Sequence, residues 1–115
     1  MLYARAGDKQ IGIHEIGMPT AARVGGSEAA QRDFVDMIFD FAEARGAQLE
    51  FMAYYQAFDE DPAVTSAWVP ALFPEWTEEM QADAIAWFGS LGLHKTDGTP
   101  KLAWQTFKDR IGSYR

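Results

Sequence analysis

The chain contains two short apolar segments that favour strands, separated by one amphipathic segment. The strand segments are residues 10–16 (QIGIHEI) and residues 49–58 (LEFMAYYQAF). Between them, Phe34, Val35 and Ile38 start an apolar stripe at helical spacing, with acidic residues on much of the opposite face. This order predicts a βαβ unit with two parallel strands, and the second strand is apolar enough to be covered on both faces.

Capping residues define the expected limits of the helices. Ser27 is placed to cap the first helix, which should end just before Gly46 in a left-handed conformation. Thr77 is placed to cap a short helix that runs to about Trp87. The prolines between residues 59 and 76 predict a long acidic and aromatic loop there.

A last helix is predicted near the C-terminal end of the chain. Residues 95–98 are a turn signal, Thr99 is the expected N-cap and Pro100 is the expected first helical residue. The residues of its predicted buried stripe are Leu102, Ala103, Trp104, Phe107 and Ile111.

Negative charge is concentrated in one part of the sequence. Residues 46–94 include eight acids and no Lys or Arg, while the whole chain has a net charge of −7. A surface of this sign repels phosphate groups, so neither a nucleic acid nor an anionic membrane is an expected partner. Neutral, hydroxyl-rich or cationic ligands are compatible with it.

Composition also limits the location and the cofactors. No segment has the pattern of an export signal or a membrane span, so the cytoplasm is the expected location for the chain as it stands. The chain has no Cys, which excludes thiolate metal sites and cysteine nucleophiles. We expect no metal and no cofactor.

Two strands are too few for an independent sheet, because three or more are normally needed. Each strand would expose an outer edge, and the inner face of the sheet would lack a partner. The sequence therefore predicts part of a larger α/β structure. We expect a single domain over residues 1–115 that is completed by oligomerisation.

Glu15 lies at the end of the first predicted strand, among isoleucines. A carboxylate in such a position is costly unless it is paired or has a task. One interpretation is a structural acid that hydrogen-bonds to the following loop. The other is a catalytic carboxylate at the open end of a barrel strand.

Three motifs occur here in the same order as in one group of enzymes. Ile13 to Thr20 (IHEIGMPT) resembles the seventh-strand signature of clan A retaining glycoside hydrolases. Tyr54 to Pro62 (YYQAFDEDP) resembles the eighth-strand segment of the β-1,3-glucanase-like members, and Trp87 to Trp104 resembles the segment that closes these barrels. The resemblance spans about Gly7 to Ile111. It implies two βα units of a partial (β/α)8 TIM barrel with an inserted loop and helix.

The resemblance assigns roles to individual residues. Glu15 matches the catalytic nucleophile of a retaining mechanism, in which a glycosyl-enzyme forms and is then hydrolysed. Asp59 and Glu60 match acids near the sugar-binding cleft, although acids at strand ends often only cap loops. Met18 stands where the family usually has an aromatic residue. His14 replaces the usual Thr or Ser, and a lone histidine is more typical of a core or supporting group than of a catalytic one.

The proton donor of the family has no match in this chain. In the family it follows an asparagine at the end of the fourth strand, and this sequence contains no asparagine. The resemblance therefore implies a nucleophile without its general acid, so the chain alone should hydrolyse glycosides poorly, if at all.

Aromatic residues offer a second kind of site. Tyr55 and Trp68 are candidate sugar-stacking residues, because an aromatic ring packs well against the C–H face of a pyranose. The other members of this aromatic set are Tyr54, Phe73 and Trp76. Packing in the core or at an interface is the alternative for most of them.

These observations predict a glycoside-hydrolase-like segment that supplies Glu15 to a larger assembly. The expected ligand is a β-linked oligo- or polysaccharide. The expected protein partner is a second copy of the chain or a complementary barrel fragment. The alternative function is that of a non-catalytic carbohydrate-binding domain, or of a structural domain that oligomerises.

Overall fold

A computed structural model describes residues 5–113 of the chain. Its strands and longer helices, in chain order, are β1 (Ile11–Ile16), α1 (Glu28–Arg45), β2 (Leu49–Tyr54), α2 (Pro62–Leu72), α3 (Glu78–Phe88) and α4 (Leu102–Ser113). Two short 3-10 helices, Ala22–Val24 and Gly46–Gln48, lie before α1 and before β2. In the described residues the two strands form one parallel sheet, with Gly12 opposite Phe51 and Ile16 opposite Tyr54. The predicted α/β architecture and the parallel pairing are confirmed. Residues 5–113 form no closed barrel.

The cap of α1 agrees with the sequence prediction. Ser27 accepts a hydrogen bond from the Ala30 amide at 3.0 Å, which confirms it as the N-cap. Gly46 ends the helix with a φ of 48°, and its amide donates to the Ala42 carbonyl. Its ψ of −126° lies outside the left-handed helical region, so that detail of the prediction was wrong. A positive φ still favours glycine here.

The segment predicted as a loop contains a helix. Residues 62–72 form α2. Pro62 is tolerated because it occupies the first turn, where the backbone amide has no partner within the helix. Asp61 caps this helix by accepting from the Ala63 amide at 2.8 Å. Pro70 lies in the last turn of the helix. The prolines at 62 and 70 are therefore compatible with the helix that the loop prediction missed. The α3 prediction is confirmed, because Thr77 accepts from the Met80 amide at 3.2 Å.

The second strand is shorter than predicted. It ends at Tyr54, and the Tyr55 amide makes a last bond to the Ile16 carbonyl at 2.8 Å. Beyond that point the chain bonds to another segment, since the carbonyls of Gln56 and Ala57 accept from the amides of residues 93 and 94. Residues 55–58 thus leave the sheet at the end of β1.

The last helix begins later than predicted. Pro100 pairs with His94 in an isolated bridge, and the Lys101 amide donates to the Leu93 carbonyl at 3.0 Å. This extended segment delays the helix to Leu102, whose amide donates to the carboxylate of Glu28 on α1. A residue distant in sequence therefore contacts the amide that begins α4, in place of the predicted Thr99 cap. The turn at residues 95–98 is confirmed.

Helices α1 and α4 cover one face of the sheet. The buried core consists of Val35, Ile38, Phe39, Leu93 and Ala103. The partly buried residues packed on it include Ile16, Met52, Tyr54, Trp104 and Phe107. Leu102 and Ile111 are each 53% exposed, so these two members of the predicted α4 stripe are not buried.

The other face of the sheet is uncovered in the described residues. The Phe51 ring lies over Gly12 and is 48% exposed. The prediction that β2 is covered on both faces was therefore wrong. The molecule is also flat, with extents of 43 × 33 × 20 Å. Its radius of gyration is 15.9 Å, against roughly 13 Å for a compact chain of this length. No helix among residues 5–113 is both long and apolar enough to cross a membrane.

Candidate functional site

A cleft of about 260 Å³ lies where the two parallel strands end. It is lined by Glu15, Ile16, Gly17, Tyr55, Trp87, Phe88 and Leu91. We call it the Glu15 cleft. Parallel strands bring their carboxyl ends to one edge of the sheet, which is why Glu15 and Tyr55 meet although they are far apart in sequence. Two of the predicted site residues therefore share one cleft.

Close backbone packing forms the floor of the Glu15 cleft. A Cβ on Gly17 would collide with the carbonyl oxygen of Tyr55, so only glycine fits between the end of β1 and the chain that follows β2. The same Cβ would also lie 3.2 Å from the Leu91 side chain. This glycine lets the two strand ends approach closely enough to share a cleft.

Three side chains of the Glu15 cleft, those of Glu15, Tyr55 and Trp87, are accessible to solvent. Trp87 is 42% exposed and Tyr55 is 36% exposed, so aromatic surface faces the cleft from α3 and from the end of β2. The side chain of Glu15 is 64% exposed, and the nearby His14 ring lies 3.5 Å from its carboxylate. His14 is itself 85% exposed, which contradicts its interpretation as a core residue and places it beside Glu15.

Asp59 lies below this surface in a buried ion pair. Its Oδ1 is 2.7 Å from Nζ of Lys101 and accepts from the Gly92 amide at 2.9 Å. The Lys101 side chain is 2% exposed and that of Asp59 is 13% exposed. These contacts give Asp59 a structural role. The sugar contact that the resemblance implies for it stays a prediction.

Glu60 and Trp68 do not line the Glu15 cleft, but Trp68 contacts one of its lining residues. The Trp68 indole donates to the Glu60 carboxylate at 2.8 Å, and the Thr65 hydroxyl donates to the same oxygen at 3.0 Å. The Trp68 ring meets the Phe88 ring edge-on, with centroids 5.1 Å apart. Phe88 lines the Glu15 cleft, so Trp68 and its partner Glu60 are connected to the cleft through the Phe88 ring. Their direct contact with a sugar stays a prediction.

A polar network connects α1 to the loops beneath the cleft. The Gln31 side chain is fully buried, and its amide nitrogen lies 2.9–3.2 Å from the carbonyls of Met18, Leu91 and Gly92. The Tyr54 hydroxyl donates to the Leu91 carbonyl at 3.2 Å. Burial raises the pKa of Tyr54 to about 12. Tyr54 is thus a structural member of the aromatic set.

Sequence reasoning missed three residues of this region. Lys101 and Trp87 lie in the closing motif, but no role was predicted for either. Gln31 lies on the predicted helix with no signal of its burial. A lone Lys between Pro100 and an apolar helix is a weak signal for a buried pair, because its partner Asp59 is distant in sequence.

The cleft offers one carboxylate and several aromatic faces. Among the described residues that line it, Glu15 is the only carboxylic acid. A retaining glycosidase needs two carboxyl groups about 5–5.5 Å apart, so this set by itself can bind a sugar or supply a nucleophile but cannot also protonate a leaving group. The chain matches no protein-family model, no curated protein and no solved structure.

Proposed function

We propose that this chain is a glycoside-hydrolase-like segment that presents Glu15 to a neutral sugar and becomes an efficient enzyme only in a larger assembly. The observation that supports this function is the cleft shared by Glu15, Tyr55 and Trp87 at the carboxyl ends of two parallel strands. Catalytic residues of (β/α)8 barrels lie at this end of the strands. The motif resemblance points to the same carboxylate.

The proposed chemistry assigns one step to this chain. The Glu15 carboxylate attacks the anomeric carbon, a carbon–oxygen bond to the enzyme forms, and the bond to the leaving oxygen breaks. Water then hydrolyses the glycosyl-enzyme. An ordinary leaving oxygen needs a proton, so a second carboxyl group has to come from outside the residues that line this cleft.

The uncovered sheet supports the need for a protein partner. In the described residues each strand has one edge without a strand partner, and Phe51 is exposed on the open face. Unpaired edges and an exposed apolar face are sites of association. The proposed partner is a second copy of this chain or a complementary barrel fragment.

A change of leaving group tests the proposed step. Dinitrophenolate departs without a proton, so 2,4-dinitrophenyl β-glucoside bypasses the missing acid, whereas 4-methylphenyl β-glucoside does not. We expect dinitrophenolate to be released faster in the presence of the protein than in buffer alone. The methylphenyl glucoside should stay intact. Glu15→Gln should abolish the release, and Glu50→Gln, which changes an exposed glutamate on β2, should not. Equal release by the wild type and Glu15→Gln would contradict the proposal.

A non-catalytic carbohydrate-binding domain is the second candidate. It is favoured by the exposure of Glu15 and by the single carboxylate among the residues that line the cleft. In that case β-linked oligosaccharides bind, Glu15→Gln still binds, and no dinitrophenolate is released. A stable oligomer that neither binds sugar nor releases dinitrophenolate would instead indicate a structural domain.

A further inference from the structure

Trp87 and Phe88 line two clefts at once. On one side lies the Glu15 cleft, and on the other lies an open cleft of about 310 Å³, which we call the Trp76 cleft. The other residues that line the Trp76 cleft are Val24, Trp76, Met80, Asp83 and Ala84. The two clefts therefore adjoin along the end of α3.

The Trp76 cleft combines apolar walls with polar groups. Trp76 stacks flat against Phe73, with ring centroids 4.0 Å apart, which holds the indole in one orientation. Met80 is 48% exposed and adds apolar surface. Asp83 accepts from Nε of Arg23 at 2.7 Å, and both side chains are about half exposed, so the pair offers hydrogen-bond donors and acceptors to hydroxyl groups.

The charge and size of the clefts restrict the ligand. The described residues that line the two clefts include the carboxylates of Glu15 and Asp83 and no cationic side chain. The nearby cation Arg23 is paired with Asp83, so the lining offers an anionic ligand no unpaired cation. Ligand pockets usually have about 300–1,000 Å³. The Glu15 cleft, at about 260 Å³, lies below that range and the Trp76 cleft, at about 310 Å³, lies at its lower limit, whereas the two clefts together lie well within it.

We infer that the two clefts form one groove for a linear, neutral oligosaccharide of at least two sugar units, with Trp87 as the central stacking residue. This inference rests on the proposed function, because it takes the Glu15 cleft as one end of the groove. Aromatic faces that follow one another suit the C–H faces of successive pyranose rings. The Arg23–Asp83 pair then contacts the hydroxyl groups of the unit farthest from Glu15.

Sugars of different length test the groove. The ligands are methyl β-glucoside and a β-1,3-linked glucotetraose, and the readouts are the indole N–H signals in NMR titrations. We expect the methyl glucoside to shift the Trp87 signal only. The tetrasaccharide should shift Trp87 and Trp76 with one dissociation constant, at least about tenfold lower than that of the methyl glucoside.

A methionine variant separates the two clefts. Met80→Ala should weaken tetrasaccharide binding by about threefold to tenfold and leave methyl glucoside binding unchanged. Met37→Ala is the matched control, because Met37 is 55% exposed on α1 and lines neither cleft. Both positions are exposed, so neither variant should impair folding.

The outcomes distinguish the groove from the proposed function. If both sugars bind with equal affinity and Met80→Ala changes neither dissociation constant, the inference of one groove is overturned, while sugar binding at the Glu15 cleft stands. If neither sugar binds, both are overturned. Binding of tetramethylammonium without binding of either sugar would indicate an aromatic cation site and would also overturn both.

Discussion

Nζ of Lys101 lies 2.7 Å from Oδ1 of Asp59, and both side chains are almost fully buried. The same nitrogen contacts the Thr20 hydroxyl at 2.9 Å and the Ser90 carbonyl at 3.1 Å. Lys101 therefore bonds to the chain that follows β1, β2 and α3 in turn. The Glu15 cleft is built on the ends of these same elements, so the ion pair stabilises the part of the fold that forms the cleft.

Replacing Lys101 should be costly because a buried carboxylate would lose its partner. We expect Lys101→Met to lower the free energy of unfolding by about 3–5 kcal/mol in chemical denaturation. Lys95→Met is the matched control, since Lys95 lies 3.7 Å from Glu28 and is 52% exposed, and it should cost less than about 1 kcal/mol. A similar small loss for both variants would show that the buried pair does not stabilise the fold.

Tyr54 should make the protein sensitive to alkali. Burial raises its pKa from 10.0 to about 12, so the folded chain keeps the phenolic proton that the unfolded chain loses. The free energy of unfolding therefore falls as the pH rises from about 10 to about 12, and the total loss at pH 12 is about 2–3 kcal/mol. Tyr54→Phe should show a shallower loss of stability above about pH 10 in denaturation curves. Identical slopes in the wild type and in Tyr54→Phe would refute this role.

Gly17 should not tolerate a larger residue. A Cβ at this position collides with the Tyr55 carbonyl, and the backbone there is held by the 2.8 Å bond from the Tyr55 amide to Ile16. We expect Gly17→Ala to cost about 1–3 kcal/mol and to weaken sugar binding at the Glu15 cleft. Gly112→Ala is the control, because a Cβ there meets nothing within 4 Å. Wild-type stability and binding in Gly17→Ala would disprove the close packing.

The open face of the sheet should mediate self-association. Phe51 is 48% exposed on that face, so sedimentation equilibrium should give a mass of at least two chains. Phe51→Asp should shift the protein towards the monomer, whereas Met37→Asp, at an exposed position of α1, should not. A wild-type protein that is monomeric at every concentration would contradict association of copies of this chain.

The parts of the fold that sequence predicted are those encoded locally. The N-caps Ser27 and Thr77 and the apolar stripe of α1 act within one helix, so spacing reveals them. The helix over residues 62–72 was not predicted because prolines usually indicate a loop, whereas Pro62 occupies the first turn behind the Asp61 cap, where proline is tolerated. The start of α4 was misplaced because it depends on contacts to Leu93 and Glu28.

The candidate site was predicted only in part for the same reason. Glu15 was identified from its place at the end of the first predicted strand, and Tyr55 as an aromatic residue of the second. Parallel strands bring their carboxyl ends together, which places the two in one cleft. The position of Asp59 depends on Lys101, which is 42 residues away and gives no periodic signal. Trp87 faces the cleft because α3 folds back over the strand ends, which the sequence pattern alone does not encode.

The most direct test of the central claim is to trap the glycosyl-enzyme. With 2,4-dinitrophenyl 2-deoxy-2-fluoro-β-glucoside, dinitrophenolate leaves without a proton, and the fluorine slows hydrolysis of the adduct so that it accumulates. Intact-mass and peptide mass spectrometry should find one glycosyl group per chain, on Glu15, in the wild type and in Glu50→Gln. The absence of an adduct, or an adduct on a different carboxylate, would contradict Glu15 as a nucleophile that faces a sugar.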